Sequence, residues 1–235
     1  MAIQVLTKLI DKEDNFEMIR DQVAQILADE SANQQALAYS EGKPNPEDWK
    51  FRVFTERSNP IEEWLNIDPV TVDRSPIINV WVDNMSFDKK KSNVVARQMS
   101  GTVINVDCYA IGISASDGAG HVLGDEASNK ATQKAVRLVR NILMAAINTY
   151  LQLRGDATNR IVGGRFIRTI TFFQSPINAP NAQQVTGGRI ALDVDHNELS
   201  PQVDSVTLAG VDIVIKRAED GSVLASASYD YPITP

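Results

Sequence analysis

The segment Ile190–Leu199, IALDVDHNEL, places Asp193, Asp195, His196 and Glu198 within six positions. Carboxylates and an imidazole at that spacing are the raw material of a divalent-metal site or of acid–base catalysis. Spacing weighs against both. Ile190, Leu192 and Val194 alternate with Arg189, Ala191, Asp193 and Asp195, and a period of two marks a strand with one buried face and one wet face. His196 then falls on the apolar parity, opposite the two aspartates. Metal ligands must converge to about 2 Å from one point, which side chains on opposite faces of a sheet cannot do without a bulge. Asp193 and Asp195 do share a face, yet they fall short of the roughly six oxygen ligands that calcium takes. The pattern predicts the polar side of a strand with His196 as a packing residue, and neither a catalytic nor a metal-binding residue is assigned.

The remaining chemical candidates are weaker. Cys108 lies in the apolar run TVINVDCYAIGI; with only His121 and His196 available to activate a thiolate, it reads as a buried structural cysteine. A single cysteine also forms no internal disulfide, which fits a reducing compartment. The glycine-rich loop ASDGAGHVLGDEA contains neither GxGxxG nor GKS/T, so it carries no specific phosphate-binding signal, and no cofactor is expected.

The elements around these residues read as follows. Asp14 or Asn15 caps a first helix to about Tyr39, with Phe16, Ile19, Val23, Ile26 and Leu27 at helical spacing. WKFRVFT alternates through Trp49, Phe51 and Val53 as a strand, and ERSNPIEEWLN reads as a short helix begun by Ser58 or Asn59 with Pro60 in its first turn. After the linker Pro69–Pro76, IINVWVD and TVINVDCYAIGIS are two strands joined by a lysine-rich loop over Lys89–Arg97. Asp125 caps a central helix over about 126–153, apolar through Leu138, Val139, Ile142, Leu143, Ala146 and Ile147. RIVGGRFIRTITFFQS and QQVTGGRIALDVDHNEL are long strands, each with a Gly-Gly pair that marks a bulge, a bend or the close approach of another backbone. Pro176 and Pro180 lie in their connection, and a hairpin over about 206–230 turns at AEDG. The expected fold is α/β (α+β): a mixed, mostly antiparallel sheet with two long helices packed on it, in one domain over 1–235.

Composition adds limits. A chain of 235 residues that is 43% hydrophobic and 23% charged is ordinary globular usage. The N-terminal MAIQVLTKLIDKEDNFEM is interrupted by Lys8 and Asp11 and does not read as a secretory signal. Val136–Leu151 contains Arg137 and Arg140 and is short of the roughly 20 residues of a membrane span, so a soluble protein is expected. Between Lys130 and Arg168 stand eight basic residues and one acid, Asp156, a charge of +7. The whole chain carries -7, so the remainder carries -14. Such segregation suits a protein whose copies or partners meet acidic with basic surface, against the plainer reading of a solvated helix face. Lys130, Lys134 and Arg137 share one helical stripe, with Arg140 nearby.

Five ordered blocks, DNFEMIRDQVAQILADESANQQALA, WKFRVFTERSNPIEEWLN, INVDCYAIGIS, LVRNILMAAINTYLQLRG and RIALDVDHNELSPQ, resemble successive segments of tail terminator proteins, a family of contractile-tailed bacteriophages and prophages. The likeness spans roughly Asp14 to Tyr229 and includes no catalytic motif. It implies helices packed on a sheet and a homo-oligomeric ring, a hexamer, in the neck of a virion assembled in the host cytoplasm. Such a ring caps the tail tube and sheath, ends tail polymerisation and meets a head-side connector protein, while DNA passes through its lumen without sequence specificity. Lys130, Lys134, Arg137, Arg140, Arg165 and Arg168 are the candidate partner or lumen contacts. A basic lumen would grip DNA that must slide, which favours a protein partner for them. The alternative is another neck ring, a head–tail stopper, connector adaptor or collar protein, in which ASDGAGHVLGD would be the plugging loop. More distant alternatives are a hydrolase using Asp193, Asp195 and His196, and a monomeric regulatory binding module.

Overall fold

The structure is a computed structural model, and it describes residues 13–65, 73, 75–88, 97–112, 114–117, 120–153, 161–174, 184–199, 210–216 and 223–230. The described residues fall into two compact units, one within Asp11–Ser200 and one within Pro201–Pro235. The second unit contributes β8 (Gly210–Lys216) and β9 (Val223–Asp230), an antiparallel pair at the expected place. Its AEDG turn lies outside the described residues, as do the lysine-rich loop over 89–96, Pro176, Pro180, Arg154 and Arg160.

In the first unit the elements are α1 (Asn15–Ser40), β1 (Arg52–Thr55), α2 (Glu62–Leu65), β2 (Ile77–Phe87), β3 (Arg97–Gly112), β4 (Ala115–Asp117), β5 (Gly120–Val122), α3 (Gly124–Met144), β6 (Val162–Gln174) and β7 (Gln184–Leu199). One five-stranded sheet has the order β1-β2-β3-β7-β6. Only the β1–β2 pair is parallel; the others are antiparallel. The fold is therefore mixed α+β with a mostly antiparallel sheet and two long helices, as the sequence predicts.

Period-two alternation builds the core. Ile104, Val106 and Cys108 of β3, Ile190, Leu192 and Val194 of β7, and Ile78 and Val80 of β2 all point to one face. There they meet Ile19, Val23, Ile26 and Leu27 of α1 and Val136, Val139, Ile142 and Leu143 of α3. Each fully buried aliphatic side chain contributes about 1.5–3 kcal/mol, so this layer dominates the stability. The opposite face holds a smaller cluster of Ile61, Trp64, Ile77, Ile111 and Val185. Ser31 ties α1 to the following chain: its hydroxyl donates to the Trp49 carbonyl at 2.9 Å and accepts the Phe51 N–H at 2.8 Å.

Several local expectations are corrected. Trp49 closes a 3-10 turn over Pro46–Trp49, and the strand begins only at Arg52. Within the segment read as a glycine-rich loop, Ala115–Asp117 and Gly120–Val122 pair as the antiparallel strands β4 and β5. Leu123, and not Asp125, occupies the cap of α3; Asp125 lies inside the first turn, and the Gly124 N–H donates to Ser114 Oγ at 3.0 Å. The same helix stops at Met144, well before Leu153, because Ala145 turns extended and Asn148 Nδ2 donates to the Ile142 carbonyl at 2.9 Å. A short 3-10 turn, Ala146–Asn148, follows, and Ala146 and Ile147, read as part of the apolar helix face, are exposed.

The glycine pairs serve two different ends. At Gly163–Gly164 the β6–β7 register shifts, which is a bulge. Gly187 and Gly188 instead make room for side chains: a Cβ would come within 2.3 Å of the Phe173 ring at Gly187 and within 2.6 Å of Val136 Cγ2 at Gly188.

Candidate functional site

The acidic segment of β7 is dispersed by the sheet. His196 is fully buried on the helix-covered face, with Nε2 2.7 Å from Thr102 Oγ1 and Nδ1 3.3 Å from Glu198 Oε1. Burial holds its pKa below the ordinary 6.5, against the opposing pull of the Asn197 backbone and Asp195, so the ring is neutral at pH 7. Glu198 reaches the start of α1, where its carboxylate accepts the N–H groups of Asn15 at 3.2 Å and Phe16 at 3.0 Å. Burial raises its pKa, outweighing those two hydrogen bonds. Asp193 faces the other way and accepts from Arg168 Nε at 2.9 Å. Asp195 is exposed on that same face. Among the described residues no group of three His, Cys, Asp or Glu side chains is placed to hold a metal ion. Cys108 is fully buried in the core, where burial pushes the thiol pKa far up, so it is held as an unreactive thiol.

The six candidate basic residues occupy three surfaces. Lys130 pairs with Glu126 one turn earlier on α3, an exposed bridge of small energetic weight. Lys134 donates to Asp48 Oδ2 at 3.0 Å and sits 4.6 Å from the centre of the Trp49 ring. Arg137 and Arg140 lie on the outer side of α3, exposed and paired with no acid among the described residues. Arg165 extends beneath the end of that helix and donates to the Ala145 carbonyl at 3.0 Å, a cation placed where the helix dipole favours it. Burial lowers its pKa. Arg168 lies on the opposite face of the sheet, where it pairs with Asp193. Four of the six candidates thus lie on α3, and Arg165 and Arg168 lie elsewhere.

The margin of the sheet is the second candidate surface. β6 stands at one end of the strand order and pairs with β7 alone among the described residues. It is 13 residues long, and its Phe166 and Phe172 are 69% and 57% exposed. Two register shifts, at Val162/Gly164 and Ile167/Thr169, twist it locally. A long outer strand with free N–H and C=O groups is a template for strand addition.

A further polar cluster escapes sequence reading. On the face opposite the helices, the Asp107 carboxylate is almost fully buried and accepts from Arg189 Nε at 2.6 Å, Arg189 Nη2 at 3.0 Å, Trp81 Nε1 at 3.0 Å and Tyr109 Oη at 3.2 Å. The Arg189 guanidinium lies 4.8 Å from the Trp81 ring centre and 5.8 Å from that of Phe173. Burial, followed by the Asp107 charge, raises the Tyr109 pKa well above its ordinary 10.0. Alternation alone puts Asp107 and Arg189 on matching parities; only the register Asp107↔Arg189 makes them partners. Comparison of the sequence with protein-family models and with curated proteins finds no match.

Proposed function

We propose that this chain is a structural ring protein of a contractile bacteriophage tail, a tail terminator. Copies join into a hexameric ring that caps the tail tube and sheath, ends their polymerisation and meets the head-side connector, with DNA passing through the lumen. The observation that carries the reading is the long margin of β6, which pairs with β7 alone among the described residues and carries exposed phenylalanines. An edge that pairs with a different edge on the next copy makes a head-to-tail contact, and such contacts close into rings. The ordered sequence blocks that resemble tail terminators supply the setting. Arg137 and Arg140 are left as the partner-facing members of the basic stripe.

Negative-stain images of the purified protein, alone and mixed with tail tubes, test this. Six-fold rings seated at tube ends are expected, and Phe166→Lys, at a position that is 69% exposed, abolishes them while the protein stays folded. Solitary molecules in the presence of tubes overturn the reading. Rings bound only to the head portal favour the alternative, a stopper, connector adaptor or collar ring. The feature that speaks for a stopper is the β4–β5 hairpin, exposed through Gly120–Val122 and followed by Leu123 at 53% exposure.

A further inference from the structure

β8 and β9 form a sheet of two strands, Gly210–Lys216 against Val223–Asp230, and join no third strand among the described residues. They belong to the second compact unit, apart from the five-stranded sheet. Two antiparallel strands alone are marginally stable at best in water, and a third strand or a packed helix is what makes such a pair hold. The larger sheet has the converse property. Its last strand, β6, pairs with β7 alone among the described residues. Past the register shift at Ile167/Thr169 that pairing runs unbroken, from Thr169↔Ala191 to Gln174↔Thr186. The stretch reads TITFFQ, mostly β-branched and aromatic residues that suit a pleated surface.

We propose that β9 of one copy adds to the Thr169–Gln174 margin of the next copy, joining its two-stranded sheet to that copy's five strands. This names the second edge of the ring contact and rests on the ring reading above. Charge and length select the edge. β6 carries Arg165 and Arg168 and no acid, β9 carries Asp230 and no base, and β8 carries Lys216; like charges set across a ladder are destabilising. β1, the other margin of the large sheet, is four residues long and would bring Arg52 against the same arginines, whereas the eight residues of β9 span all of Thr169–Gln174. β9 also supplies the small residues Ala225, Ser226, Ala227 and Ser228, so it brings little bulk against the Phe172 ring, which is 57% exposed. The ten residues between Leu199 and Gly210 reach up to about 35 Å when extended, enough to deliver the pair to a neighbour. Each copy gives one edge and receives another, so the contact is head-to-tail and repeats around a ring.

Disulfide capture in the full chain tests this. One copy carries Thr171→Cys, at an exposed position of β6, and the other carries Ser226→Cys or Ala227→Cys; successive strand residues face opposite sides, so one of these two shares a face with Thr171. Cys108 is fully buried and takes no part. The two variants are co-expressed and oxidised after purification. A linked pair containing one chain of each kind is expected, in large excess over the pairs that either variant gives alone. With both substitutions in one chain, oxidation should give a ladder of linked oligomers. Far-UV circular dichroism verifies each fold, and Thr169→Cys, also at an exposed position, replaces Thr171→Cys should that variant misfold. Absence of the mixed pair, or a link closed within a single chain, overturns the proposal. Six-fold rings that form without the link overturn this contact and leave the ring reading standing, whereas linked chains that never seat on tail tubes leave the contact standing and overturn the terminator reading.

Discussion

The carboxylate of Glu198 accepts the backbone N–H of Phe16, 182 residues earlier in the chain, at 3.0 Å, so the far end of β7 caps the start of α1. The same side chain also accepts from Asn15, and Glu17 Oε2 accepts the Asp14 N–H at 3.0 Å. Three of the donors at the start of α1 are thereby satisfied, which an unaided helix terminus leaves to water. Glu198→Ala is expected to cost about 1–2 kcal/mol, the range for a lost helix cap. Urea unfolding measures it, and a loss indistinguishable from that of an exposed surface glutamate would contradict the capping role.

His196 gives the fold a pH dependence of known sign. Burial holds its pKa below 6.5, so the folded protein resists a proton that the unfolded chain accepts. Its contribution to stability is complete above pH 6.5 and is lost as pH falls below it. Glu198, raised above its ordinary 4.5, works in the opposite direction: the folded state takes up its proton first, so acidification through that range favours folding. Comparison with His196→Gln isolates the histidine. Between pH 7.5 and 5.5 the unfolding free energy of the parent should fall more steeply than that of the variant, by up to about 1.4 kcal/mol per pH unit. Parallel curves would show that His196 titrates alike in both states.

Gly112 is fixed by the backbone of α3. A Cβ there would lie 2.0 Å from the Gly124 carbonyl oxygen and 2.4 Å from the Ser128 nitrogen. Neither atom can move without displacing the first turn of the helix, so Gly112→Ala should cost about 3 kcal/mol or more. Gly163→Ala, whose Cβ meets only the Asp195 carbonyl at 3.5 Å, is the control and should be mild. Equal effects in thermal unfolding would refute the close-packing argument.

Arg189 holds Asp107 through two nitrogens while lying against Trp81. Arg189→Ala leaves a buried carboxylate with only the indole and phenol donors, and should cost about 2–3 kcal/mol, less than a fully buried pair because the guanidinium is partly solvated. Arg189→Lys should recover little of it, since an ammonium offers neither the fork geometry nor the stacking plane. Full recovery by lysine would show that charge alone matters at this position.

Short-range periodicity explains what is legible in the sequence. Ile19, Val23, Ile26 and Leu27 announce the buried stripe of α1, and the alternation around Ile190 places His196 and Asp193 on opposite faces, as the structure has them. What periodicity misses depends on particular polar contacts, near and far. The end of α3 at Met144 is set by Asn148, six residues on, folding back on Ile142 and by Arg165 arriving from β6. Hydrophobic spacing encodes neither contact, so the apolar pattern runs on to Ile147. The Asp107–Arg189 pair spans 82 residues and exists only in one register. The basic residues read as one group along the chain because linear charge counting cannot tell which face of a sheet a strand residue occupies; Arg165 and Arg168 are three positions apart and end on opposite faces.

Gly187 and Gly188 have a mechanical consequence. Phe173 and Phe172, successive residues of β6, close over the two bare positions from opposite sides of the sheet, so the last strand grips its neighbour like a clasp. Peeling it away would expose the Phe173 ring and strip the half-exposed Phe172 ring of its seat on Gly188. Exchange of that strand between molecules is therefore disfavoured, and any neighbour that zips onto the margin meets a rigid rail instead of a detachable arm.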